Sequence, residues 1–582
     1  MLSLRSLIVL GVVVASCQAI FAAKPLTLDG LFPKDRVLQV RVKISPEHWD
    51  ELRYQTRDRD SMFGRDRRKA PFESPFTYFP ADVEIEGVMF RQVGLRKKGF
   101  IGSLSETRPS LKVKLDFTDH DGALGGLTSL TFNNNRQDRS LVNQFLGYSL
   151  FNAAGSPAPR IAYAQVLVNG ENLGVYSHVE TVREPLLKRE FGEPLGTLYE
   201  GTVVDFNPGW EKAFELKTGD DERGRDRIIQ LSRALEMNEG TDLYPGQQRL
   251  RAWVPRSAVL GRRWTALGFD DSQWKGGAGG VGYEQNRGYE RFIDGALDFG
   301  SSMRGRSASI YIRIPFHLES SRIPAGDFIL RMRYDDGFVA YLNGERVAAA
   351  NAPAEPGWNS TATRSHDDQA AVLFTRFNLN EHRGLLRSGR NILAIHGMNA
   401  SAGSSDLLLE ARLRTEKGSL DETIARHVDL DAFYRFWALE GLLGFWDGYS
   451  GNRNNFFVYH NPGTQTFHFL PWGADALFSN RRYERGNDLG LLSVKLRGMV
   501  ARKLYESPAG RRRYVRALKV LLDQVWKEKE LLAETERLET LLRPHVCMEQ
   551  RWFDEDLDSV RRFIEGRRQE VLDELDRVAR GE

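Results

Sequence analysis

Between Val37 and Val182 apolar residues recur at every second position in short runs broken by turns, as in Val83 to Val93 and Ser110 to Phe117, which is the period of half-buried strands. One stretch changes period. From Ser140 to Ala154, Leu141, Phe145, Leu146, Leu150 and Phe151 fall at helical spacing, with Asp138 or Ser140 as the N-terminal cap. Ala162 to Val168, Asn169-Gly170 and Leu173 to Glu180 then read as a hairpin, because Asn-Gly accepts the positive φ of a primed turn. The strand signal resumes near Gly246 and runs to about Thr415, with Trp253, Trp264, Phe269 and Trp274 set among glycine-rich turns. Its clearest part is Phe328 to Tyr334, Phe338 to Leu342, Asn343-Gly344 and Arg346 to Ala350, which reads as a β-meander, followed by Asn391 to Met398 and Leu407 to Leu413. Helical periodicity returns at Leu420 and closes the chain, with Phe563, Ile564, Val571, Leu572, Leu575 and Val578 on one face.

The first residues stand outside this pattern. Arg5 leads into the apolar run Leu7 to Ala15, the length of an export signal and too short for a permanent span, so 1–23 is set aside from the fold. Val14, Ala15, Ser16 and Cys17 have the form of a lipobox with a lipid anchor at Cys17, while Ala19, Ala22 and Ala23 suit ordinary cleavage. Both readings place the protein outside the cytoplasm, in the periplasm, on the surface or secreted. With Cys17 lipidated or removed, Cys547 is the one cysteine left and no intrachain disulfide forms. At 582 residues more than one core is expected, and 41% hydrophobic with 27% charged residues is ordinary globular composition. The formal net charge of +3 calls for no nucleic acid or anionic membrane, so partners must be argued from sites.

The most informative stretch runs from Phe445 to Phe478, FWDGYSGNRNNFFVYHNPGTQTFHFLPWGADALF. Asp447 precedes Asn452 at the spacing of a kinase catalytic loop, where the Asp orients the attacking hydroxyl and the Asn binds a metal. An apolar hairpin, Phe456 to Tyr459 and Phe467 to Leu470, then delivers Asp475 as a second metal-binding carboxylate. A plainer reading competes: Gly448 to Asn455 is also a turn whose Asn side chains satisfy backbone groups.

The wider sequence resembles the CotH kinase family (spore coat protein H-like atypical protein kinases). The resemblance rests on that stretch together with GLRKKG (Gly94 to Gly99), PSLKVKLDF (Pro109 to Phe117), LTFNNNRQDRS (Leu130 to Ser140), AAGSPAPR (Ala153 to Arg160) and VNGENLGVYSHVE (Val168 to Glu180), in family order. It implies an α+β fold: a discontinuous atypical protein-kinase-like domain at 36–245 and 416–580, interrupted by an all-β sandwich of jelly-roll type at 246–415. It also implies ATP and Mg²⁺ as cofactors and an exported protein as substrate, with Asp447 catalytic, Asn452 and Asp475 on the metal, and Lys98, Lys112 and Glu180 at the nucleotide. Lys114 stands in reserve for phosphate contact; solvated lysines are the plain alternative. Two departures leave a degenerate kinase open: Gln144 where the family often has an acidic residue, and Gly473 where many members carry the first Asp of Trp-Asp-x-Asp.

The inserted module resembles galactose-binding-like sandwiches, in which Trp264, Trp274, Tyr283 or Trp358 would stack on envelope carbohydrate, unless they form the module's own core. Asp335, Asp336 and Asp406 have the chemistry of a Ca²⁺ site, although Asp-Asp-Gly before a strand reads first as a turn. His460 and His468 lack a zinc-type partner spacing, and the Arg57 to Lys69 loop, interleaved with Asp, reads as solvated. Two functions follow: an exported ATP-dependent kinase for Ser/Thr hydroxyls, or a noncatalytic surface protein that binds envelope polymer or protein through its sandwich.

Overall fold

The computed structural model describes residues 26–57, 70–236, 240–244, 249–285, 288–321, 323–372, 374–416, 420–479 and 495–580. The export segment, Cys17 and most of the Arg57 to Lys69 loop lie outside them. Mixed helices and several sheets make the fold α+β.

The first strands are β1 (Val37–Lys43), β2 (Phe79–Ile85), β3 (Val88–Lys98), β4 (Ser110–Lys114), β5 (Ser129–Asn133), β6 (Ile161–Val168) and β7 (Glu171–Val179). They close a barrel in the order β1-β2-β3-β4-β5-β7-β6, the seam being the parallel pair β1 and β6. Period-two alternation puts Leu38, Val40, Val42, Val83, Leu95, Leu111, Val113 and Val166 into the barrel interior. Each fully buried side chain of that size contributes on the order of 2 kcal/mol. The β6–β7 turn is the expected primed one, with φ of 51° at Asn169 and 91° at Gly170.

β6 has two buried faces. Ala162, Ala164 and Val166 point into the barrel, while Ile161 and Tyr163 join the large helical core. There Phe145 stacks on Tyr163 at 5.4 Å, fastening the helix Asn143–Ala153 across the outside of the barrel. That helix begins three residues later than its periodicity suggests, because Leu141 sits at φ 63° and breaks the first turn. Neither Asp138 nor Ser140 is the N-cap residue, which is Val142, but Asp138 Oδ2 accepts the first helical N–H, from Asn143, at 2.9 Å.

Two further strands, β8 (Thr197–Gly201) and β9 (Glu215–Thr218), belong to a sheet completed only by the last two, as described below. Then follow β10 (Gly240–Asp242), β11 (Arg249–Trp253), β12 (Lys275–Ala278), β13 (Gly280–Glu284), β14 (Ile293–Asp298), β15 (Ser309–Leu318), β16 (Asp327–Asp335), β17 (Gly337–Leu342), β18 (Glu345–Ala350), β19 (Thr375–Asn378), β20 (Gly389–Met398) and β21 (Asp406–Glu416). They form two six-stranded sheets, β14-β13-β21-β16-β19 with β10 beside β21, and β12-β11-β15-β20-β17-β18. One apolar layer containing Val281, Ile312, Phe328, Leu330, Phe338, Ile395 and Leu409 draws on both. The sequence pattern read β16, β17 and β18 as a meander; instead β16 and β17 belong to opposite sheets, and only β17 and β18 form a hairpin. Alternation cannot distinguish the two, since β17 is buried along its whole length. Trp264, Trp274 and Tyr283 are buried, the two tryptophans against Tyr311, so they are core residues rather than an exposed stacking platform. β10, leading into this region, pairs antiparallel with the last residues of β21, leading out.

The remaining sheet, β23-β22-β8-β9, joins β8 and β9 to the hairpin β22 (Phe456–Asn461) and β23 (Thr466–Pro471). Helices Leu430–Leu442, Met499–Glu506, Pro508–Gln524, Glu528–Leu542 and Phe553–Arg580 pack with it around one apolar core.

Candidate active site

Asp447 follows the helix Leu430–Leu442, which begins at an Asp429 cap and stops where the Arg567 guanidinium, fully buried, donates to Gly441 O at 2.6 Å and Leu442 O at 2.9 Å. In the last turn of this helix Glu440 is also fully buried and accepts the N–H groups of Tyr449 at 2.7 Å and Ser450 at 2.8 Å. Those bonds cap the one-turn helix Tyr449–Asn452 from below, and burial pushes the Glu440 carboxyl up to about 7. Gly448 is required for the approach, since a Cβ there would lie 2.2 Å from Glu440 Oε1.

The loop so fixed wraps the Asp447 carboxylate in amides. Asn452 Nδ2 donates to Oδ1 at 2.6 Å, Asn454 Nδ2 to Oδ1 at 3.3 Å and Asn455 Nδ2 to Oδ2 at 2.9 Å. The competing turn reading is met in part, because Asn454 Oδ1 also accepts the Val203 N–H at 3.2 Å.

Asp475 approaches from the segment after β23. Asn143 Nδ2 donates to the carbonyls of Asp475 at 3.0 Å and Leu477 at 3.3 Å, tying this segment to the helix Asn143–Ala153. Burial first, and then the charge of Asp447, push the Asp475 carboxyl up to about 7, while Lys98 opposes the shift. Lys98, at the end of β3, is brought down to about 8 by burial; it donates to Asn133 Oδ1 at 2.6 Å and lies 5.6 Å from the Trp472 ring centre. Asp447, Asn452, Asp475 and Lys98 are thus brought together.

A cationic wall adjoins them. On β4, Lys112 stands directly opposite Arg96 of β3, and burial followed by the charges of Arg183, Arg96 and Lys217 pushes it down to about 7. Glu200 of β8 lies half-buried among these cations; desolvation opposes its ionisation, but Lys217 at 2.6 Å, Arg183 and Lys112 bring its pKa below the usual value. Lys114 lies further along β4, opposite Gly94. Glu180, at the end of β7, is paired with other arginines. Its fully buried carboxylate takes Arg160 Nη2 at 2.9 Å, Arg189 Nη1 at 2.8 Å and Nη2 at 2.9 Å, and the Arg160 N–H at 3.0 Å, so its acceptors are already engaged by arginines of the barrel end.

Arg96, Arg183, Glu200, Lys217, Glu440, Asn454 and Asn455 were not singled out from the sequence. Asn454 and Asn455 adjoin a motif and were legible by proximity; Arg183, Glu200 and Lys217 converge through pairing of β8 with β9 and β22, which leaves no local signal.

The family model described as CotH kinase protein matches residues 95–246 and 405–571, more than half of the chain. The chain belongs to the CotH kinase family. The curated inner spore coat protein H of Bacillus subtilis (strain 168) is 28% identical over 168 residues, so the match spans 27% of this chain and 45% of that relative. Among solved structures, the β-glucuronidase of Bacteroides uniformis aligns at 13% identity over 30% of this chain and 18% of its own, TM-score 0.17. The uncultured Clostridium sp. β-glucuronidase aligns at 11% over 31% and 29%, TM-score 0.18. Likeness at this level carries no argument.

Within this CotH chain the two departures from the family pattern have structural counterparts. Gln144 is buried and links Lys98 to the helix through Asn133, a neutral relay rather than an ion pair. Gly473 has φ of 51°, and a Cβ there would meet Asn455 Oδ1 at 2.6 Å; the position is closed to a side chain by the same asparagine that holds Asp447. The oxygen donors of Asp447, Asp475 and Asn452 suit a hard divalent cation, and the mutual repulsion felt by Asp475 is what such a cation relieves. Among the described residues no three His, Cys, Asp or Glu side chains are arranged to hold a metal. One carboxylate and one amide oxygen, from Asp475 and Asn452, are a protein donor set of the size Mg²⁺ takes, since that ion keeps waters and phosphate oxygens for its remaining positions.

Proposed function

We propose that this chain is an exported, ATP- and Mg²⁺-dependent protein kinase that phosphorylates Ser or Thr hydroxyls of extracytoplasmic proteins. Its catalytic unit is built from 36–245 and 416–580, with 246–415 inserted as a sandwich. The observation that carries the reading is the meeting of Asp447 and Asp475 at one half-buried place beside Lys98 and the Lys112 wall. Export rests on the Arg5 to Ala15 segment, and the spore-coat name of the Bacillus subtilis relative agrees with a surface location.

Bound Mg²⁺ supplies charge neutralisation on the phosphate oxygens and in-line alignment of the transferred group. Asp475 and Asn452 would hold it. Lys98 and Lys112 meet the negative charge of the polyphosphate, with Arg96, Arg183 and Lys217 adding to the field. Asp447, fixed by its three amide donors, accepts the hydrogen bond of the substrate hydroxyl and takes its proton. The new O–P bond forms as the bond from the γ-phosphorus to the bridging oxygen breaks, and ADP leaves with that electron pair. The noncatalytic alternative, a surface protein that binds envelope polymer through the sandwich, has Gly473 in its favour, because one carboxylate of the usual pair is absent.

The test is phosphate incorporation by the mature protein from γ-labelled Mg-ATP. Autophosphorylation is expected, reduced at least about 100-fold in Asp447→Ala and in Asp475→Ala. Incorporation undiminished in both variants, or no rise in melting temperature at millimolar Mg-ATP, rejects the kinase and leaves the binding protein.

A further inference from the structure

The sandwich carries a second polar centre that does not depend on the kinase reading. On β13 and β21, Glu284 and Asp406 are direct cross-strand partners. On the other side of β21, Asp335 of β16 stands opposite Leu408, two residues from Asp406. Since residues i and i+2 share a face, Glu284, Asp406 and Asp335 project from one face of the sheet. This is the face away from the shared apolar layer: Leu408 packs there with Tyr289 and Ala371, whereas Leu407 and Leu409 point into the layer. Like charges at directly opposed cross-strand positions repel, so the register itself concentrates negative charge.

The neighbouring loops are tied down over this face. Asp336 Oδ1 accepts the His366 N–H at 2.8 Å and Oδ2 accepts the Ala400 N–H at 2.7 Å, so Asp336 is a positioning residue whose two oxygens are already used. The first bond sets the segment that carries Asp368 to the rim; the second sets the loop leading into Asp406. Asp335 is 2% exposed, and its Oδ2 has no hydrogen-bond partner among the described residues. The Tyr289 hydroxyl, 1% exposed, also has none, and its electrostatic neighbours are Asp335, Asp368, Asp406 and Glu284. Asn399 donates through Nδ2 to Asp406 O at 3.0 Å, and its Oδ1 is a third buried oxygen with no partner among the described residues.

Buried acceptor oxygens with no donor, inside a ring of carboxylates, call for a cation. The geometry points to a divalent cation site formed by Asp335, Asp406 and Glu284, with Asp368 at the rim, that takes Ca²⁺. Every donor is oxygen, which excludes the softer metals, and the irregular set drawn from three strands and the start of the short helix Asp368–Ala371 suits the larger, less directional ion over octahedral Mg²⁺. In their present rotamers no three of these acids form a coordination shell, so the half-buried Asp406, Glu284 and the exposed Asp368 close in on binding.

The experiment is calorimetric titration of the EDTA-treated full chain with CaCl₂ alone and MgCl₂ alone, with melting temperature followed in parallel. One equivalent of Ca²⁺ binding at least 10-fold more tightly than Mg²⁺, a rise in melting temperature, and retention of both in Asp475→Asn are expected. Asp335→Asn with Asp406→Asn should weaken Ca²⁺ binding at least 10-fold; Glu284→Gln, on a half-buried residue, gives the same test if the double variant fails to fold. Absence of Ca²⁺ heat, a Ca²⁺ response lost in Asp475→Asn, or binding undiminished in Glu284→Gln and the double variant overturns the site. So does a chain that Asp335→Asn stabilises while Ca²⁺ leaves it unchanged, since a shared proton then holds the cluster.

Discussion

Gln144 Oε1 accepts a hydrogen bond of 2.8 Å from Asn133 Nδ2, and Asn133 in turn receives the ammonium of Lys98 on Oδ1 at 2.6 Å. The other end of the Gln144 amide donates to Asn135 Oδ1 at 3.1 Å, so one buried side chain joins the helix Asn143–Ala153, the Asn-rich segment and the lysine. Replacing it by leucine keeps the volume and leaves the buried Asn135 amide and the half-buried Asn133 amide each short of a partner, a cost of about 1–3 kcal/mol. Gln144→Leu is therefore expected to lower the denaturation midpoint and to lower phosphate incorporation at least about 10-fold, since Lys98 loses its support. Full stability and activity in this variant would show that the relay does not hold the lysine.

Gly473 is constrained twice, by φ of 51° and by Asn455 at 2.6 Å from any added Cβ. Gly473→Ala pushes Asn455 off the Asp447 carboxylate and costs about 1–2 kcal/mol of backbone strain. The expected result is a loss of turnover larger than the loss of stability, read by comparing kcat with the unfolding midpoint. Gly473→Asp, which restores the family's usual carboxylate, is expected to fail for the same steric reason.

His178 lies stacked between Phe32 at 4.9 Å and Phe132 at 4.7 Å, fully enclosed, and is held neutral with its pKa lowered to about 4 by burial. The unfolded chain binds a proton on this ring below about 6.5 and the folded chain does not, so the contribution is present above 6.5 and is lost as pH falls towards 4. Relative to His178→Phe, which keeps the stacking, the wild-type protein should lose on the order of 3 kcal/mol between pH 6.5 and 4. Denaturant titrations of both proteins across that window measure the difference; a constant offset would contradict it.

Lys112, brought down to about 7 by burial and the surrounding cations, is only partly protonated at neutral pH. A polyphosphate beside it restores the charged form, so nucleotide binding takes up protons and affinity falls as pH rises from 7 to 8. Calorimetry in two buffers of different ionisation enthalpy reads the uptake directly, and Lys112→Met should abolish it.

Motifs that act over a few residues were legible before any coordinates. Asp447 and Asn452 share one loop, Asn169-Gly170 makes its turn from its own backbone preferences, and the strand expected over Ser110 to Phe117 forms over Ser110–Lys114 with its buried face shown by alternation. What depends on two distant segments was not. The meander reading of β16 and β17 failed because both strands are buried, which erases the contrast between faces; Glu180 was assigned by resemblance and is engaged by Arg160 and Arg189, a pairing no local pattern signals.

By itself the amino-acid sequence determined the family, the α+β composition and the shared loop of Asp447 and Asn452, because hydrophobic period and short-range spacing are properties of contiguous chain. Only the tertiary structure decided that Lys98 reaches Gln144 through Asn133, that Glu200 gathers Lys112, Arg183 and Lys217, and that Glu284 faces Asp406. Those contacts arise from strand register and helix docking, in which burial of apolar faces fixes the backbone and the polar groups are carried to wherever that packing places them.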